Sequence, residues 1–149
     1  MIQRIQSVYL LVVAVLGVLT MSFPVGHFYT NSAVCEMGTL AIVSPSGMVN
    51  YAPWPLFLLL QVVVVLSLVT IFLYKKRMAQ IRITKFCMFV LVGYYVLLSS
   101  YVWGSFRELG HFVPAWMICF PFISIILQYL AVYAIGKDEK LVKSYDKLR

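Results

Sequence analysis

Four long apolar runs divide the chain, Ile5 to Phe23, Pro55 to Tyr74, Phe86 to Trp103 and Pro114 to Ile135, and charged residues fall only between and beyond them. At about 1.5 Å of rise per residue and a hydrocarbon core of about 30 Å, a spanning helix needs roughly 20 mostly apolar residues. Each run therefore predicts one transmembrane helix. The fold class expected is an all-α membrane protein, a four transmembrane helix bundle forming a single four-span domain over residues 1–149. The spans leave a long loop at 24–53, a short basic loop at 75–85 and a tail at 136–149.

The polar punctuation sets an orientation. Arg4 precedes the first span, Lys75, Lys76, Arg77, Arg82 and Lys85 lie between the second and third, and Lys137, Lys140, Lys143, Lys147 and Arg149 follow the fourth. Only Arg107, of the 12 basic residues, belongs to the other side. Because positive charge is retained in the cytoplasm during insertion, both termini are expected there. Aromatic belts agree: Trp54, Trp103 and Trp116 fall at the predicted outer ends, Tyr9, Tyr74 and Tyr133 towards the inner ends. The first run ends Thr20-Met-Ser-Phe-Pro24 without a small-x-small site, which predicts a retained span rather than a cleaved leader.

Composition supports the same class. With 62% hydrophobic and 11% charged residues, the chain is too apolar for a soluble domain. Its net charge of +7 flanks apolar spans instead of forming a soluble basic patch. The reading is therefore no nucleic acid, with anionic lipid headgroups as counter-ions at Lys75, Lys76, Arg77, Arg82 and Lys85.

Within the loops, Gly38 to Ser44 and Gly47 to Tyr51 are β-prone and flank the turn sequence Ser44-Pro-Ser-Gly47, so a small β-hairpin is expected in the first outer loop. The tail places Leu141, Val142, Tyr145 and Leu148 on one helical stripe, the pattern of a helix lying at headgroups. In the fourth span Pro121 predicts a kink, and Pro114 suits a first helical turn.

Within the spans there is no Asp, Glu, Lys, Arg or His, which disfavours pumping and ion-coupled transport. Gln61 and Gln128 stand about 10 Å apart in depth, so each is expected to bond a neighbouring helix. Cys35, Cys87 and Cys119 are placed at different levels, so no internal disulfide is expected and no cofactor is called for. The one group of potential metal ligands is external: His27, Cys35 and Glu36 in the first outer loop, Glu108 and His111 in the second. Their spacing matches no metal signature, so no metal or catalytic residue is assigned. Gly26-His-Phe28 and Gly110-His-Phe112 repeat one another after outward-running spans, which raises a duplicated two-span unit against two helix ends at the interface.

The two ends, Met1-Ile-Gln-Arg-Ile-Gln6 and the closing Asp138-Glu139, Leu141-Val142, Ser144, Asp146 and Leu148-Arg149, resemble domain of unknown function family 4293. The resemblance implies a short bacterial four-span protein of the inner membrane, and it brings no catalytic residues. For function, the expectation is a non-enzymatic accessory or complex-organising component with a membrane protein partner. The alternative is binding of a lipid, quinone or other small apolar ligand in a lateral groove near Tyr94, Tyr95, Tyr101 and Phe120. An outward-facing metal-dependent enzyme stands third.

Overall fold

The computed structural model describes residues 2–30, 33–73, 76–105 and 110–147. The first and longest-range organising element is a set of four helices, α1 (Ile2–Ser22), α2 (Trp54–Phe72), α3 (Arg77–Ser100) and α4 (Cys119–Lys147). All four carry stretches long and apolar enough to cross a membrane, by length and composition. α1 packs on α2 and α4, and α3 packs on the same two, so α2 and α4 occupy opposite corners of the bundle. Close approach replaces hydrophobic drive where the surroundings are as apolar as the interior. A Cβ on Gly17 would stand 2.6 Å from Val64 Cγ2, so only glycine lets α1 approach α2 here.

The connection between α2 and α3 is much shorter than 75–85, because the chain is helical from Arg77 onward. Residues 77–85 contain neither Gly nor Pro, and Met, Ala, Gln, Arg and Lys propagate a helix well. Gln80 and Thr84 turn inward and are buried, and Gln80 Nε2 donates to Thr70 O at 2.9 Å, tying α3 to the last turn of α2. Beyond Ser100 the helix widens into a π-helical turn, Tyr101–Ser105. α4 continues without a break to Lys147, so the tail is an extension of the fourth helix. Lys75, Arg107 and Glu108 lie outside the described residues, as do the side chains of the tail stripe from Leu141 to Leu148 and those of Asp138, Glu139 and Lys143.

Neither proline has the role expected of it. Pro114 ends a strand, and Pro121 sits in the first turn of α4, after a 3-10 turn at Trp116–Ile118. An amide in a first turn has no intrahelical acceptor, so Pro121 fits there without kinking the helix.

At the end of the bundle away from the termini, five short strands form one antiparallel sheet in the order β4-β3-β2-β1-β5: β1 Gly26–Thr30, β2 Ala33–Met37, β3 Ile42–Val43, β4 Val49–Asn50 and β5 His111–Pro114. The β3–β4 hairpin turns through Ser44 to Gly47. Gly47 N–H donates to Ser44 O at 2.9 Å, and its φ of 78° is the left-handed value glycine adopts freely. The sheet is larger than the expected hairpin, because β1, β2 and β5 depend on pairing between distant segments. Gly26 faces both Met37 and Pro114.

Along β1, β2 and β3 the side chains alternate between the bundle and the outside. Phe28, Cys35, Met37 and Ile42 are buried against the helix ends, continuous with Leu56, Leu60, Leu91, Tyr94 and Leu98 in a single apolar core. The Phe28 and Phe112 rings stack in tilted contact with centroids 5.1 Å apart. The repeated Gly-His-Phe triplets lie on neighbouring strands, with both phenylalanines directed inward.

The two mid-span glutamines part company. Gln61 is exposed on the flank of α2, whereas Gln128 is fully buried and neither its Nε2 nor its Oε1 has a hydrogen-bond partner among the described residues. Among the described residues neither makes the interhelical bond expected of it, whereas Gln80 makes one.

Candidate functional site

The outer face of the sheet brings together most of the residues singled out from the sequence. Strand register places Val49, Val43, Glu36, His27 and Val113 side by side in one row across the five strands. A second row, one pleat along, holds Val34, Tyr29 and His111. His27 is directly opposite Glu36 and diagonal to His111, a separation of about 7–8 Å between Cα positions. Cys35 is excluded from this group by strand parity. It points to the bundle, opposite Phe28, with its thiol 3.8 Å from Ser44 Oγ. Glu108 lies outside the described residues, and among those described no three His, Cys, Asp or Glu side chains are close enough to hold a metal.

The surface that results is chiefly apolar. Tyr29 is 48% exposed, Val34 43%, Val43 45%, Val49 45% and Val113 46%. These valines and the tyrosine were not singled out from the sequence. The signal was present in the period-two alternation of Gly26-His-Phe-Tyr-Thr30 and Ala33-Val-Cys-Glu-Met37. His27 and Tyr29 rings meet edge to face at 6.5 Å, so the imidazole lies along the strand beside the phenol. An array of aliphatic side chains with one acceptor carboxylate, two imidazoles and a phenol can present area and a few directional hydrogen bonds to another surface.

A separate cavity of about 240 Å³ lies where α3, its π-helical end, β5 and the 3-10 turn meet, lined by Tyr95, Leu98, Val102, Trp103, Phe112 and Ile118. The Tyr95 hydroxyl donates to Ile118 O and so holds the start of α4 against α3. Of the aromatic groove expected near Tyr94, Tyr95, Tyr101 and Phe120, Tyr95 lines this cavity. Tyr94 is wholly buried in the core, where its ring stacks edge-on against Tyr95.

The profile of the family described as a domain of unknown function, DUF4293, matches residues 2–148. The chain belongs to this family. No curated protein matches it. The match spans both termini, the segments whose sequences carried the resemblance, and extends through the bundle and the sheet between them. Membership assigns no chemistry to the sheet face, whose properties follow from its own residues.

Proposed function

We propose that the protein is a non-enzymatic accessory component of the bacterial inner membrane that docks a membrane protein partner through the outer face of its sheet. The observation that supports this most directly is the row of Val49, Val43 and Val113, with Val34 and Tyr29 beside it, all exposed on a surface lying past the ends of the spanning helices. Clustered apolar side chains outside lipid are costly to leave in water, and such patches mark interaction sites. In the orientation given by the basic residues the sheet is extracytoplasmic, both termini are cytoplasmic, and Arg77, Arg82 and Lys85 meet anionic headgroups from the first turns of α3.

Photo-crosslinking in intact membranes tests this reading. A crosslinker in place of Val43 captures a defined protein, and the capture is lost when Val34 is replaced by Lys. A crosslinker in place of Phe89, 76% exposed on the flank of α3, captures lipid instead. Capture of lipid or solvent alone at Val43 sinks the proposal.

A second reading rests on the cavity beside Tyr95, whose walls are almost entirely apolar and which lies at the end of α3, the level of the headgroups when α3 spans the bilayer. There a lipid chain, quinone ring or other apolar ligand would be held by the Trp103 and Phe112 rings. Non-protein density between Tyr95 and Phe112 after purification in mild detergent would favour it.

A further inference from the structure

We propose that Gln128 and Ser67 form a binding site inside the bundle for a small neutral group that both donates and accepts hydrogen bonds. Gln128 on α4 is 0% exposed and Ser67 on α2 is 1% exposed, and Gln128 Nε2, Gln128 Oε1 and Ser67 Oγ have no hydrogen-bond partner among the described residues. Buried amides and hydroxyls without protein partners are satisfied by an enclosed polar molecule when they converge on one place.

Two contacts show that they converge in depth. Ala115 N–H donates to Val25 O at 2.9 Å, which sets α4 against α1 at the sheet end, and the Gly17–Val64 approach sets α1 against α2. Counting only helical residues at about 1.5 Å each, Gln128 lies about 14 Å inward from the start of α4 at Cys119, and Ser67 about 12 Å inward from the end of α1 at Ser22 by way of the Gly17–Val64 contact. Their helices stand at opposite corners of the bundle, and both side chains are buried, so each is directed into the bundle and not onto its outer flank. Of the other buried hydroxyls of the spans, Thr20, Thr70, Thr84 and Ser124 each donate to the carbonyl four residues back, whereas the Tyr94 hydroxyl, nearer the sheet, also has no partner among the described residues. Ser67 leaves its hydroxyl unused in a helix where that bond is available.

The chemistry of the occupant follows from its surroundings. Arg82 and Lys85 of α3 are exposed on its flank and no charged side chain is buried among the described residues, so a charge placed here would be unpaired in a low-dielectric interior. An amide offers both donors and acceptors, and a hydroxyl offers both as well, which together match water or the hydroxyl or carbonyl of a neutral amphiphile.

The test is solid-state NMR on the full chain, ¹⁵N-labelled, in nanodiscs of synthetic phosphatidylcholine and, separately, in native membrane vesicles. The side-chain signal of Gln128 is assigned by its loss in Gln128→Leu or, should that variant fail to fold, by its shift in Gln128→Asn. The expected result is magnetisation transfer to Gln128 Nε2 that the backbone amide of Leu60 does not receive, and that is lost in Ser67→Ala. Transfer from water in the synthetic lipid identifies water as the occupant. Transfer from aliphatic protons, confined to native membranes, identifies an amphiphile. A Gln128 signal that receives magnetisation from neither source in either preparation, or one that Ser67→Ala leaves unchanged, overturns the proposal.

Discussion

The two ends of the bundle are built from the same four helices, yet their interiors differ. Towards the sheet, the interior is closed by Leu56, Leu60, Leu91, Tyr94 and Leu98, and the inward side chains of the sheet, Phe28, Met37 and Ile42, continue the same apolar packing. Towards the termini, Ser67, Thr70, Gln80, Thr84 and Gln128 are buried, and a cross-helix hydrogen bond from Gln80 to Thr70 takes the place of aliphatic contact. The first region excludes water by shape, whereas the second is specified by direction. In a bilayer the distinction matters, because lipid rewards apolar packing no more than it rewards apolar exposure, so polar bonds and close approach decide which helices meet.

The comparison is most strongly challenged by removing the ring that joins sheet to bundle. Phe28→Ala should destabilise the protein by about 3–5 kcal/mol, with Cys35 beneath the same sheet becoming reactive to a water-soluble thiol reagent at temperatures where the parent is protected. If Cys35 stays protected, the sheet and bundle are not one packed unit. Next in size is Gly17→Val, which forces new atoms against Val64 and should cost about 1–3 kcal/mol in thermal unfolding. Val64→Ala should restore part of that loss, and a failure to do so would mean that α1 and α2 do not meet at this point. In the polar half the effects should be smaller. Gln80→Leu removes one interhelical bond and should cost about 0.5–1.5 kcal/mol, measured in the same unfolding assay. A loss as large as that of Phe28→Ala would erase the contrast between the halves. With no expected effect on stability, thiols introduced by Met48→Cys and Met78→Cys, both at exposed positions, should label from opposite sides of sealed vesicles. Labelling of both from the same side would abolish the proposed topology, and labelling of Met48→Cys from the cytoplasmic side would reverse the orientation.

How much of this was visible in the sequence depended on the range of the interactions involved. The four helices are written in local composition: an apolar run long enough to cross lipid has one regular way to satisfy its backbone. The Ser44 to Gly47 turn is equally local, since Pro and Gly stand at the places where the chain reverses. The rest of the sheet is not local. β1 is fixed by β2 nearby and by β5 more than 80 residues on, and only the alternation around His27 and Cys35 hinted at it. Pro114 was misplaced for the same reason, because its partner Gly26 lies in another loop. Of the candidate site, His27, Glu36 and His111 do share a face, but Cys35 does not, since one step along a strand reverses the direction of a side chain. Gln80 was hidden by its basic neighbours. It reads as loop until the helix that contains it is extended inward to Arg77.

The pairing of β1 with β5 joins the loop after α1 to the loop before α4, so the first and last helices are fastened to each other at that end through main-chain bonds. The opposite end has no such clasp among the described residues, and its helices are held by the α2–α3 link and by side chains. Any splaying of this bundle must therefore hinge at the sheet and open at the termini, like a clothes-peg whose spring is the strand pair.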